Sequence, residues 1–184
     1  MNDHLIHRID QNNVSTEQWI EIYKHGGWGG EGSGLGSSLK NNLNLIQWIS
    51  NFIDFNNIKS IIDLGCGDLQ WIPTLLKMHK NVSYTGVDCV SDLINNHKIN
   101  HSGHNFILQD IFSTIEGNFD LLLCKDVLQH NIKNADSLLS AIEKINAKIK
   151  LIISPMNILI PLKYSYIYVN NCWIDECKFI YLKS

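Results

Sequence analysis

Residues 60–71 read SIIDLGCGDLQW, and the residue types and spacing here point to ligand binding. An apolar run ends at Asp63, and Gly65-Cys66-Gly67 follows as a tight turn. Asp68 comes next, and then the start of a helix. Glycines at 65 and 67 let the backbone bend sharply and approach a ligand more closely than a side chain permits. A dinucleotide site would hold pyrophosphate at the helix start, but Asp63 and Asp68 flank this turn and would repel it. Gln70 stands where the third glycine of a GxGxxG pattern belongs. Two carboxylates beside the turn suit a ligand carrying an ammonium or sulfonium charge.

Three further groups follow in order. Asp88, with Cys89 beside it, closes the run VSYTGVD about 20 residues past the turn, where an acid accepts hydrogen bonds from ribose hydroxyls. Asp110 and Ile111 follow the run NFILQ, an acid to accept from an adenine amino group and an apolar neighbour to pack on the ring. The run LLLCKDVLQH, residues 121–130, ends a strand at Cys124 and places Lys125, Asp126, Gln129 and His130 on the loop after it. Polar groups at the carboxyl ends of parallel strands are where open α/β sheets bind ligands. Histidine is the usual base near neutral pH for drawing a proton from a hydroxyl. His130 is the candidate base, Asp126 its orienting partner, and Gln129 a third group facing the cleft. Trp71 is a candidate platform for a sugar ring. Cys66 and Cys124 read as small apolar packing groups. His97, His101 and His104 straddle a helix end and a strand start and read as surface positions.

These groups need a sheet and helices to position them. Strand patterns at 58–64, 82–88, 105–109, 119–125 and 149–154 are separated by helical patterns at 69–79, 91–101 and around 135–145. Strands alternating with helices mean βαβ units and a mostly parallel sheet. Ser91 is expected to cap the second of these helices, and Pro73 is tolerable near the start of the first. Residues 164–170 and 176–182 are expected to form an antiparallel hairpin at the sheet edge. Upstream, Leu39, Leu43, Ile46, Ile49 and Ile53 recur at helical spacing within 37–55. Ser15 and Gln18 form a capping-box pattern for a short helix that includes Trp19 and Tyr23. Residues 1–14 are polar, carry no period, and are expected to be a mobile lead-in. Seven of the twelve glycines fall in HGGWGGEGSGLG, residues 25–36. That composition suits a flexible linker. Trp28 and Glu31 within it suit a lid that closes over a ligand. The expected division is an N-terminal helix and glycine-rich lid over 1–36 and one catalytic domain over 37–184.

Together, DLGCG, Asp88, Asp110 and CKDVLQH resemble the motifs of class I S-adenosylmethionine-dependent methyltransferases, in the same order and spacing over residues 37–154. The resemblance implies an α/β fold, a Rossmann-like three-layer α/β/α sandwich with a mostly parallel seven-stranded sheet. It implies S-adenosyl-L-methionine as cofactor, held by Asp63, Gly65, Cys66, Gly67, Asp68, Asp88, Cys89, Asp110, Ile111 and Lys125. The stretch YKHGGWGGEGSGLGSSL resembles the N-terminal segment of small methyltransferases of glycan-modifying clusters. In related enzymes such a segment covers the cofactor, which implies Tyr23, Trp28 and Gly30 near it and Glu31 toward the substrate. The Asn/Asp-Pro-Pro-Tyr motif of amino-group methyltransferases is absent, and CKDV stands in its place.

Composition limits the partners. The chain has 184 residues, 45% hydrophobic and 18% charged, with a formal charge of −3, enough to bury a core. It lacks the basic field that drives nonspecific nucleic-acid binding, so nucleic acid is not the expected partner. No apolar run reaches the ~20 residues of a membrane span, and the polar N-terminus is not expected to be a signal peptide. Five scattered cysteines suit free thiols in a reducing compartment, the cytoplasm. No residues are assigned to a metal, and the sequence leaves a need for a divalent metal open. The reading is methyl transfer to a hydroxyl of a small molecule such as a sugar or glycan precursor. Methylation of a protein or RNA, and a silent binding subunit of the same fold, stay open as alternatives.

Overall fold

The computed structural model describes residues 13–26, 28, 32–154, 165–173 and 176–183. Five strands run parallel: β1 (Ser60–Leu64), β2 (Ser83–Asp88), β3 (Asn105–Leu108), β4 (Phe119–Lys125) and β5 (Ala147–Ser154). Two antiparallel strands, β6 (Ser165–Trp173) and β7 (Glu176–Lys183), complete the sheet in the order β3-β2-β1-β4-β5-β7-β6. The edge hairpin expected from the sequence is therefore present, with β7 inserted between β5 and β6. The chain winds outward from β1 to β3 and then returns to lay β4 on the other side of β1. That reversal opens a crevice at the carboxyl ends of β1 and β4, where doubly wound sheets place their ligands.

Both sheet faces are covered, which explains why the strands read as nearly continuous apolar runs. On one face, Ile61, Tyr84, Leu121, Leu123 and Leu151 pack against helices α2 (Leu43–Phe55), α3 (Ile72–Met78) and α4 (Ser91–Asn100). On the other, Ile62, Leu64, Leu122, Cys124 and Ile152 pack against α5 (Ala135–Lys144) through Leu138, Leu139 and Ile142. Neighbours in sequence thus face opposite layers. Each fully buried Leu or Ile is worth about 1.5–3 kcal/mol. The result is the three-layer Rossmann-like sandwich that the motif order implied.

The first helix, α1 (Thr16–Lys24), has the Ser15–Gln18 capping box read from the sequence. The lead-in differs from expectation at its end. Val14 is buried, its N–H donates to the His130 carbonyl at 3.1 Å, and Asn13 accepts from the Asn134 side chain. Residues 1–12 of that expected segment lie outside the described residues. The helix expected over 37–55 is interrupted. Two 3-10 turns, Leu35–Ser37 and Lys40–Asn42, precede α2. The buried Asn42 amide donates to the carbonyls of Gly36 and Ser38, spending groups that a continuous helix would use. The buried stripe is accordingly Leu45, Ile46, Ile49 and Ile53, while Leu39 and Leu43 are exposed. Val90 rather than Ser91 is the N-cap of α4, and no side chain caps it. Pro73 sits in the first turn of α3, where its missing N–H costs nothing.

Candidate active site

A cavity of about 840 Å³ opens at the crevice beyond β1, β2 and β4. The turn after β1 forms part of its floor. Gly65 and Gly67 have φ of +72° and +57°, backbone that a side chain strains. The Gly65 and Cys66 amides both donate to the Val87 carbonyl, at 2.8 and 3.0 Å, which ties the turn to β2. A Cβ on Gly65 would stand 2.4 Å from a Val127 methyl, and one on Gly67 would stand 2.5 Å from the Ser33 hydroxyl. A side chain is strained at both positions.

Asp88 faces the cavity from the end of β2. Its Oδ2 accepts from the Gly67 amide at 2.9 Å and its Oδ1 from the Val90 amide at 3.0 Å. Burial raises the Asp88 carboxyl above its ordinary value, and the amides of Val90, Gly67 and Cys89 oppose that rise. Each oxygen keeps a lone pair for further donors. Asp110 and Ile111 line the same cavity after β3. Asp110 accepts from the Phe112 amide at 2.8 Å and from the Thr16 hydroxyl of α1 at 3.3 Å. Cys89 lies between these acids on the cavity wall, its thiol pushed up to about 12, first by burial and then by the charge on Asp88.

At the end of β4, Lys125 donates to the Gly36 carbonyl at 3.1 Å and to Asp126 at 2.5 Å. Asp126 holds a positive φ of +57°, a costly conformation for a residue with a side chain and one that clusters at functional sites. Gln129 and His130 follow on a 3-10 turn, Leu128–His130, and both line the cavity. Gln129 Oε1 is buried with no hydrogen-bond partner among the described residues. The His130 ring stands 5.2 Å from Trp19, edge to face, and 5.2 Å from Trp28. The wall at this end is thus aromatic, and it is built jointly by the β4 loop and the N-terminal segment.

The structure sorts the residues read from sequence into two groups. Tyr23, Trp28, Gly65, Asp88, Cys89, Asp110, Ile111, Lys125, Asp126, Gln129 and His130 line the cavity. Asp63, Cys66, Gly67, Asp68 and Trp71 do not. Asp63 turns into the core, where it accepts from the Tyr84 hydroxyl at 2.7 Å. Burial pushes its carboxyl up to about 7, with the Tyr84 bond and then the Lys125 charge opposing that rise. Cys66 is buried beneath the turn against Gly86, and burial raises its thiol. Gly67 shapes the turn rather than the cavity surface. Asp68 is engaged by the N-terminal segment, accepting from the Ser33 amide at 3.0 Å and from Gln70 at 2.9 Å. Trp71 is a correction. It is 5% exposed within the core, its ring 5.8 Å from the Lys125 amine, and it offers no platform to a substrate. Gly30 and Glu31 lie outside the described residues. Sequence reading missed Ser15, Thr16, Trp19 and Ser33, which line the cavity from the N-terminal side. The Ser15 capping pattern placed the helix, but no local pattern tells which sheet edge a helix covers.

The cavity fits an adenosyl sulfonium group. The ionisable residues lining it include four carboxylates, Glu17, Asp88, Asp110 and Asp126, against one lysine, which favours a cationic ligand. The two glycines leave room for close backbone approach. Asp88, Asp110, Ile111 and Phe112 line it together. Three or more His, Cys, Asp or Glu side chains arranged to hold a metal are not found among the described residues. Nor is any helix among them long and apolar enough to cross a membrane.

Solved structures share the fold. The methyltransferase domain of a bacterial CtHen1 aligns with a TM-score of 0.62 at 14% identity, covering 76% of this chain and 96% of that one. An rRNA methylase from Escherichia coli gives 0.57 at 18%, covering 76% and 62%. The plantazolicin methyltransferase BpumL, solved in complex with SAH, gives 0.57 at 17%, covering 76% and 56%. At such identities the likeness is one of fold alone, and no curated protein matches the sequence. Residues 56–175 match the family described as a methyltransferase domain. With that match spanning most of the chain, and the glycine turn, Asp88 and Asp110 gathered on one cavity, the chain belongs to this family and is an S-adenosylmethionine-dependent methyltransferase.

Proposed function

We propose that the enzyme methylates a hydroxyl of a small polyhydroxylated acceptor, such as a sugar or glycan precursor. One observation carries this reading. His130 stands against Trp19 and Trp28 on the cavity wall, with Asp126 and Gln129 lining the same cavity from the loop after β4. Bound S-adenosylmethionine supplies a methyl group already activated by a positively charged sulfur. Asp88 accepts from the ribose hydroxyls, Asp110 from the adenine amino group, and residues 1–36 act as a lid. The chain's remaining task is to align the acceptor, exclude water and take one proton. His130 takes the hydroxyl proton at a ring nitrogen, and Asp126 orients the acceptor or the ring. The Trp19 and Trp28 rings supply flat apolar surfaces for the C–H face of a sugar and keep water from the reacting oxygen. Gln129 Oε1 needs a donor, and a second hydroxyl on the acceptor provides it; leaving that oxygen unpaired costs about 1–3 kcal/mol. The acid-rich wall opposes a phosphodiester backbone. Free thiols at Cys66, Cys89 and Cys124 suit the cytoplasm.

The test is transfer of labelled methyl from S-adenosylmethionine to a panel of nucleotide sugars, free glycans, peptides and structured RNA. Label on a sugar oxygen supports the reading. Label on RNA or peptide replaces the acceptor class and leaves the methyltransferase assignment standing.

A further inference from the structure

His97 is only 6% exposed, although its place near a helix end suggested a surface position. It does not line the cavity, and the chemistry described so far makes no use of it. Its Nε2 lies 2.7 Å from the Gly67 carbonyl oxygen. A carbonyl only accepts, so Nε2 carries the hydrogen and donates. The ring is held in place by Phe106, 5.2 Å away, with His101 at 6.0 Å.

The same peptide unit has a second partner. The Asp68 amide, on the other side of the Gly67–Asp68 bond, donates to the Ser33 hydroxyl at 3.2 Å. Ser33 Oγ in turn meets the Tyr23 hydroxyl at 2.7 Å, and the Ser33 amide returns a bond to Asp68 Oδ2 at 3.0 Å. One peptide group therefore receives a bond from α4 beneath the sheet ends and gives one to the N-terminal segment above them. Donation to a carbonyl polarises its peptide and strengthens the N–H as a donor. The preceding amide, of Gly67, is meanwhile spent on Asp88. The turn is gripped at consecutive peptides, one by the cavity acid and the next by His97.

We infer that His97 is a positioning residue that fixes the Gly67–Asp68 peptide and thereby holds Ser33, and through it Tyr23, beside the bound cofactor. It touches neither cofactor nor acceptor. The inference rests on the cofactor assignment, which wild-type binding checks separately.

Dissociation of S-adenosylhomocysteine from the full chain, followed by fluorescence of the cavity tryptophans, reads the effect. His97→Ala and Ser33→Ala are each expected to speed dissociation about tenfold, the scale of one lost buried hydrogen bond. His97→Gln keeps a terminal N–H and restores most of the wild-type rate. The double variant is expected to dissociate no faster than the faster single one, since both cut one chain of bonds. Unchanged dissociation in His97→Ala, no rescue by His97→Gln, or multiplied effects in the double variant would overturn the inference. If His97→Ala does not fold, His97→Leu, which keeps the packing and drops the donor, replaces it under the same criteria. Wild-type protein that fails to bind S-adenosylhomocysteine would strike the cofactor assignment instead.

Discussion

The floor and the roof of the cavity are built by different means. On the floor, main chain holds main chain or a buried carboxylate: Val87 takes two amides of the turn, and Asp88 takes those of Gly67 and Val90. On the roof, polar side chains make most of the contacts. Thr16 reaches Asp110, Ser33 and Asp68 bond each other, and Gly36 takes the Lys125 amine. Such bonds contribute about 0.5–1.5 kcal/mol each, so loss of any one of them costs the sheet little. Under the proposed function, the floor would recognise the methyl donor, and the roof would set how long it stays and what meets it.

The junction of the two regions should show the largest effect. His130 belongs to the floor loop by chain, but its ring packs on the roof tryptophans and its carbonyl takes the Val14 amide. His130→Asn is expected to lower kcat about 10²–10⁴-fold, the usual contribution of a general base. Affinity for S-adenosylhomocysteine should hold within about threefold, since the substitution leaves the floor intact. Calorimetry beside a turnover assay checks both. Unchanged kcat removes His130 as the base.

Damage to the floor comes next. Gly65→Ala strains a positive φ and drives a Cβ into Val127. Strain of about 1–2 kcal/mol and overpacking of about 1–3 kcal/mol together predict a loss of 30-fold or more, roughly, in cofactor affinity. Asp88→Ala is expected to cost about 1–3 kcal/mol of binding, because the amides of Gly67 and Val90 lose their acceptor along with the ligand. Thermal melts separate loss of binding from loss of fold.

The floor was readable in the sequence, and the roof only in part, through Tyr23 and Trp28. Asp63, the glycine pair and Asp88 sit at strand ends in a fixed order, and strand ends are fixed by apolar runs that the eye can count. The side-chain directions at those ends were less legible. Asp63 and Trp71 lie close in sequence to residues that line the cavity, yet both face the core, because alternation along a strand and the pitch of a turn decide the face. Trp19, Thr16 and Ser33 reach the cavity only through a tertiary docking that leaves no local period. His97 was misread for the same reason, since its partner is a carbonyl 30 residues away in the chain.

The core-facing acid gives a test of that distinction. Asp63 holds its proton up to about pH 7 in the folded chain, against an ordinary carboxyl value of 3.8. Between those values the folded state binds more protons than the unfolded one, so stability falls as pH rises through the window. Asp63→Asn removes the titration and keeps an oxygen for Tyr84. Urea melts from pH 5 to 8 should show the wild type losing about 2–3 kcal/mol more than the variant. Cofactor affinity at pH 7 should change little, in contrast to Asp88→Ala. Parallel stability profiles would place the titration elsewhere.

The smallest effect belongs to the roof alone. The Thr16 hydroxyl bonds Asp110 at 3.3 Å in an exposed position, and the Phe112 amide holds the other oxygen of the same carboxylate. Thr16→Val deletes the hydroxyl and keeps the shape. Asp110 stays solvated and tied to Phe112, so the loss is about 0.5–1 kcal/mol and appears as a two- to fivefold faster release of S-adenosylhomocysteine. The association rate should rise or hold, since a looser roof admits ligand more readily. A variant that instead weakened binding entirely through slower association would mean that α1 forms part of the recognition surface, and the division between a fixed floor and an opening roof would fail at that point.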